Sequence, residues 1–300
     1  MSKVSNPAAT TSPAHIATPA ASVAPGNVDV FLIAGQSNGR GIGTSSLSPT
    51  VPTGKVLRYG HDGSIADAND PLTNAVNSGQ NANTGCAWPT FGLTLFNATQ
   101  RKVLFVQTCH GATSQVNLGN PATTWDTGGT LFPQAIAGLN AALTAAIAAG
   151  YAPVFRGVLW CQGEQDAIAI NGSMITQGQY ITALTAMIAR FRAATIGGTT
   201  YPAMPFYLFR TGTDPSQSDV GFASVRAAQD STIASDPHSE VVFRDTIKFP
   251  ALGYQQAVPN SIHYTQAGYN EMGRVGAANV LGAITASIAA SGQSNSSATD

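Results

Sequence analysis

Charge is the scarcest property of this 300-residue chain: 14 lysines and arginines and 15 aspartates and glutamates make up only 10% of it and leave a net charge of −1. Soluble domains carry about 25% charged residues. A chain with so few clustered basic side chains lacks the means to track phosphates, which argues against a nucleic-acid partner. It is not a charge-solvated disordered chain either, because hydrophobic residues reach 43%. Three cysteines, Cys86, Cys109 and Cys161, are too few for a disulfide scaffold. One bridge with a spare thiol and three free thiols both fit. No Cys/His or His–Glu spacing matches a zinc site, so neither a metal nor an organic cofactor is required. Neither a secretory signal nor a membrane span is expected. Residues 1–7 lack the apolar core of a secretory signal. The Ala/Gly-rich stretch 275–288, broken by Asn279, is too short and too weakly apolar to span a bilayer.

What is present is a regular alternation. Residues 1–27 are dominated by Ala, Thr, Ser, Asn and Pro and read as a flexible tether, as does the tail 291–300. Between them, over 28–290, no low-complexity break or internal repeat divides the chain, and one domain is expected. Residues 28–34 form a nearly continuous apolar run ending at Gly35, the pattern of a strand buried on both faces. A weaker strand-like run occupies 55–59, and clear ones follow at 102–107, 155–160, 206–209 and 240–243. Helical patterns lie between them: 131–149, stopped by Gly150; a face made by Ile181, Leu184, Ile188 and Phe191; and 219–235. Met272, Gly276, Val280, Ile284 and Ile288 recur every four residues and predict a closing amphipathic helix. Such alternation predicts an α/β fold with a mostly parallel, five-stranded sheet covered on both faces, with its site at the carboxyl ends of the strands.

The polar clusters fall where that rule asks for them. Gly35-Gln36-Ser37-Asn38 follows the first strand, Cys109-His110-Gly111 the third, and Cys161-Gln162-Gly163-Glu164-Gln165-Asp166 the fourth, while Asn260-Ser261-Ile262-His263 precedes the last helix. A serine needs a base to become a nucleophile, a histidine titrates near neutrality, and a carboxylate can orient it. Backbone N–H groups at Ser37 and Gly111, with a side-chain amide, could receive a developing oxyanion. Together these are the parts of an acyl-transfer site. The plainer alternatives are a helix-capping turn for Ser37, a structural histidine for His263 and a scaffold contact for Asp166. Gly39-Arg40-Gly41-Ile42-Gly43 does not match the dinucleotide fingerprint, and no ribose-binding acid follows it.

These motifs, in this order from Gly35 to His263, resemble the SGNH-hydrolase superfamily, and within it the sialate O-acetylesterase-type branch that also holds acetyl xylan esterases of carbohydrate esterase family six. Trp125 and the Leu131-Phe132 helix start resemble that branch's second block. The resemblance implies a three-layer α/β/α, flavodoxin-like fold and hydrolysis of acetyl esters on an acetylated carbohydrate, a poly- or oligosaccharide. Carried over by position, it makes Ser37 the nucleophile, His263 the base, Gly111 and Gln162 oxyanion donors, and Glu164 a candidate orienting acid.

The chain departs from that pattern at three places. Asn260 stands where the family usually has Asp, Ala112 replaces a glycine of the oxyanion block, and Gly39 with Arg40 follows Asn38 where Met is frequent. Asn38, Arg40, His110, Trp125 and Asn260 are candidate substrate contacts. Arg210 and Asp214 follow another strand and are candidates to line the pocket, with a surface ion pair as the alternative. Trp160, ending a strand, is expected in the core. An esterase acting on lipid or aryl esters and a non-catalytic carbohydrate-binding domain are the other functional readings. The composition resembles extracellular or phage-appendage enzymes. The sequence carries no signal for oligomeric state.

Overall fold

β1 (Asn27–Gly35) is the axis of the molecule, buried from Val28 onward. The computed structural model describes residues 27–77 and 84–290, so the tether expected over 1–27 lies outside the described residues except for Asn27, and the tail 291–300 lies wholly outside them. After β1 come α1 (Ser37–Arg40), β2 (Val56–Tyr59), β3 (Ile65–Asp67), α2 (Trp88–Thr99), β4 (Lys102–Gln107), α3 (Leu131–Ala148) and β5 (Ala152–Cys161). The chain continues through α4 (Glu164–Asn171), α5 (Gln177–Ala193), β6 (Phe206–Phe209), α6 (Asp219–Ala234), β7 (Ser239–Phe243), α7 (Phe249–Leu252) and α8 (Gln266–Ala290). The sheet order is β3-β2-β4-β1-β5-β6-β7. Every pairing is parallel except β2 with β3.

The expected three-layer α/β/α architecture with a mostly parallel sheet is the one observed, but with seven strands rather than five. The shortest, β3, has three half-buried residues and no apolar run to announce it, and it ends one edge of the sheet with an antiparallel pairing. Side chains of β1 alternate between two cores, as a strand's two-residue period requires. Val28, Val30 and Leu32 pack with Leu139, Leu184 and Phe222 under α3, α5 and α6. Phe31 and Ile33 pack with Trp88, Phe91 and Met272 under α2 and α8. Each such fully buried side chain stabilises the fold by roughly 1.5–3 kcal/mol. α3 is long and apolar enough to cross a membrane, yet Leu131, Ala135, Leu139, Ala142 and Ala146 bury one face of it against the sheet.

The two ends of β1 are held by different physics. At its start Asp29, buried, accepts two hydrogen bonds from Arg101 and one from Arg156, all at 2.7 Å. At its finish the Gly35 carbonyl accepts from His110 N–H at 3.0 Å, and Gln36 N–H donates to the Cys161 carbonyl at 2.7 Å. Those two bonds splice β1 to the ends of β4 and β5, its neighbours on either side. Gly35 has φ +123°, and a Cβ on it would lie 2.0 Å from the Cys161 carbonyl oxygen. Only glycine fits there. β1 stands between β4 and β5, the strands that lead to Cys109 and Cys161. All three cysteines are buried and free.

Replacing Asp29 with Ala leaves two guanidiniums facing each other with no anion between them. Urea unfolding should show a loss of about 3 kcal/mol, near the low end for breaking a buried pair because both arginines keep some exposure. Gly35→Ala should cost more than about 2 kcal/mol, since the turn must open to admit the methyl group. An unchanged Tm in that variant would contradict the packing described for this turn.

Candidate active site

Ser37 opens α1 directly beyond the Gly35–Gln36 turn, at the carboxyl end of the central strand. The preceding Gln36 is extended, and its side-chain oxygen accepts from the N–H groups of Gly163 and Gln165, both at 3.3 Å. Gln36 therefore locks the β5–α4 turn onto the serine turn. From the other end of the sequence, the loop before α8 brings His263 Nε2 to 2.9 Å from Ser37 Oγ. Their sequence separation of 226 positions is closed by the parallel topology, which delivers both groups to one rim of the sheet. Burial, with Arg40 adding to it, holds the His263 imidazole below its ordinary pKa, against an opposing pull from Asp214.

Asn38 is buried and makes three bonds with its side chain. Nδ2 donates to Glu164 Oε1 at 2.6 Å and to the Ile262 carbonyl at 3.1 Å, while Oδ1 accepts from Tyr269 O–H at 2.9 Å. It is thus a strut joining α1, α4, the histidine loop and α8, and these bonds occupy the side chain that the sequence offered as a substrate contact. Glu164 is buried behind it. Burial raises the Glu164 pKa, with the Asn38 bond pulling the other way. Its hydrogen bond goes to Asn38, and His263 Nδ1 is buried without a hydrogen-bond partner. The expectation that Glu164 directly orients the imidazole is not met by this arrangement.

Gln162 also differs from expectation. Its amide donates to Asp166 Oδ2 at 2.5 Å, to the Thr113 carbonyl at 3.1 Å and to Gln36 Oε1 at 3.4 Å, all inside the protein. An amide so occupied props the loop after β4; it does not face an oxyanion. Asp166 completes that prop by accepting from the N–H groups of Gln115 and Val116 at 2.7 and 2.9 Å, and burial lifts its pKa to about 6. The scaffold contact expected for Asp166 is what these bonds describe.

The propped loop carries His110 and Gly111. His110 Nδ1 lies 3.0 Å from the Gly111 carbonyl and must donate to it, because a carbonyl only accepts. The guanidinium of Arg40 lies over the Gly111 Cα, 3.6–3.8 Å from where a Cβ would stand. Ala112 has φ +54°, so the position that departs from the glycine pattern keeps the glycine-like backbone and bears the strain. Gly39 is explained from below: a Cβ there would come 2.6 Å from Cys109 Sγ and 3.0 Å from Cys161 Cβ.

Trp125 is not the substrate contact the sequence offered. It is fully buried, edge-on to Trp160 at 5.1 Å, with its Nε1–H donated to Thr113 Oγ1. A polar flanking sequence concealed a core residue; Trp160 is in the core as its strand position implied. Asn260 is exposed, and its carbonyl accepts the His263 N–H at 2.9 Å. Arg210 pairs with Asp230 at 3.1 Å, away from the histidine loop. Asp214 is buried and accepts from Ser261 Oγ at 2.5 Å. Among the described residues, no three His, Cys, Asp or Glu side chains gather into a metal-binding set. Sequence reasoning passed over Gln36 and Tyr269, whose roles depend on partners 126 and more residues away; Asp214, just past a strand end, carried a usable signal.

Comparisons with known proteins give the family and the fold. A family model described as carbohydrate esterase, sialic acid-specific acetylesterase, matches residues 27–281. No protein of curated function matches the sequence. Among solved structures, a protein from Arabidopsis thaliana is similar at 17% identity and TM-score 0.56, over 86% of this chain and 99% of that one. NanS is similar at 14% identity and TM-score 0.57, over 89% and 99%. A carbohydrate acetylesterase from Xanthomonas citri is similar at 17% identity and TM-score 0.51, over 85% of this chain and 57% of that one. At such identities these likenesses speak to the fold; the family follows from the match along 27–281, and the chain belongs to the sialic acid-specific acetylesterase family of carbohydrate esterases, a carboxylic ester hydrolase acting on acetylated carbohydrates.

Proposed function

We propose that the protein removes O-acetyl groups from a poly- or oligosaccharide through an acetyl-serine intermediate. The observation that carries this reading is the 2.9 Å contact between His263 Nε2 and Ser37 Oγ. In the forward step Nε2 takes the hydroxyl proton as Oγ attacks the acetyl carbonyl carbon. The resulting oxyanion lies against the N–H of Ser37, which as first residue of its helix has no intrahelical acceptor, and the N–H of Gly111. His263 then returns its proton to the sugar oxygen as the ester C–O bond breaks. A water molecule, deprotonated by the same imidazole, attacks acetyl-Ser37; as the acyl C–Oγ bond breaks, the imidazolium returns that proton to Oγ and acetate is released. Gln162 and Asp166 support this chemistry by fixing the Gly111 loop, and Glu164 does so through Asn38. Arg40 and His110, half-buried beside Gly111, are the side chains we assign to substrate contact.

Acetate release from an acetylated oligosaccharide or p-nitrophenyl acetate should fall by at least about 10⁴-fold in Ser37→Ala, with the circular dichroism spectrum unchanged. Wild-type turnover by that folded variant would remove the proposal.

The base must be neutral to accept a proton, so activity rises as His263 deprotonates. Burial and Arg40 depress its pKa. The acid limb of the kcat/KM profile should therefore have its midpoint below 6.5, the ordinary imidazole value. A midpoint above that value would count against His263 as the base.

A further inference from the structure

A neutral imidazole that becomes an imidazolium in the transition state needs negative charge nearby. The usual place for that charge, three residues before the histidine, holds Asn260, a neutral and exposed side chain. Two of the nearby carboxylates are committed elsewhere: Glu164 to Asn38, and Asp166 to the Gln115–Val116 turn and Gln162. The third is Asp214, from the loop after β6, and the histidine loop is fastened to it.

Ser261, two residues before His263, donates its hydroxyl to Asp214 Oδ1 at 2.5 Å. Gln255 bridges the same two loops with its amide, donating to the Thr213 carbonyl at 2.5 Å and to the Ser261 carbonyl. Asp214 in turn is fixed within its own loop. Ser216 donates to it from N–H at 3.0 Å and from Oγ at 2.8 Å, and Gln217 from Nε2 at 2.9 Å. Burial opposes ionisation of Asp214, but the bonds from Ser261, Ser216 and Gln217 outweigh it and hold its carboxyl below the usual range, so it is an anion at neutral pH.

We propose that Asp214 is the positioning residue of the catalytic base: it holds His263 through Ser261 and supplies, from the β6 loop, the negative charge that Asn260 cannot. The inference rests on the serine-esterase reading above. The elements around His263 carry titratable groups: Arg40 on α1, Cys109 and His110 after β4, Glu164 and Asp166 on α4, Asp214 after β6, Tyr264 beside the histidine, and Tyr269, Glu271 and Arg274 on α8. Of these, Arg40 and Asp214 act on the imidazole in opposite senses. Removing the Asp214 charge leaves Arg40 unopposed.

The test is a set of pH profiles on the full chain with p-nitrophenyl acetate. In Asp214→Asn, kcat should fall roughly tenfold or more with KM within about twofold, and the acid limb of kcat/KM should move to lower pH. Adding Asn260→Asp to that variant places a carboxylate on the same loop, three residues before His263. It should recover part of kcat and return the limb towards higher pH, a rescue that a purely structural role for Asp214 would not produce. Unchanged kcat and limb in folded Asp214→Asn, or a loss that Asn260→Asp does not repair, overturns the proposal. Where Asp214→Asn does not fold, Ser261→Ala decides. It keeps the charge and cuts the link, so a severalfold fall in kcat supports the proposal and wild-type kcat overturns it. Failure of the esterase reading itself would be seen separately, as turnover surviving in Ser37→Ala.

Discussion

The side chain of Asn38 is the constraint on which the site depends. One buried amide ties the helix bearing Ser37 to α4 through Glu164, to the histidine loop through the Ile262 carbonyl, and to α8 through Tyr269. An amide can do this because it offers donors and an acceptor without charge, so it can sit in a dry interior at little electrostatic cost. A carboxylate in its place would repel Glu164 and could donate to neither partner. The short distance between serine and imidazole is thus set by a residue that performs no chemistry.

A second layer of buried polar groups does the same for the loop after β4. Gln36, Gln162, Thr113 and Asp166 bond mainly to one another and to backbone, and none of them needs a formal charge apart from Asp166. This accounts for a site so well connected in a chain so poor in charge. Its order comes from amides and hydroxyls whose bonds are short in range and directional, and half-satisfied members would be costly.

Much of this was legible in the sequence because period and punctuation carry topology. The apolar run 28–34 ending in Gly35 marked the central strand, and the rule that sites gather at strand carboxyl ends brought Ser37 and His263 to one rim before any distance was known. What could not be read was the partner of each polar side chain. Gln162 and Trp125 stand where an oxyanion donor and a substrate contact were expected, and both turn inward, because their partners, Thr113 and Asp166 for one, Thr113 and Trp160 for the other, are set by packing across distant segments. Glu164 illustrates the same limit: its place in the motif was right, but Asn38 intercepts it. The edge strand β3 escaped notice because three half-buried residues leave no hydrophobic periodicity to detect.

The nucleophile and the base are mounted on supports of unequal stiffness. Ser37 caps a strand buried along nearly its whole length and clamped at both ends, whereas His263 rides on a loop whose 257–260 segment is exposed and which is fastened by hydrogen bonds and the single buried ring of Tyr264. Segments fastened in that way open at lower free energy than the sheet beneath them. Gentle heating should therefore silence the enzyme while its calorimetric transition still lies ahead, and cooling should bring it back, since only an arm has swung and the frame has stayed put.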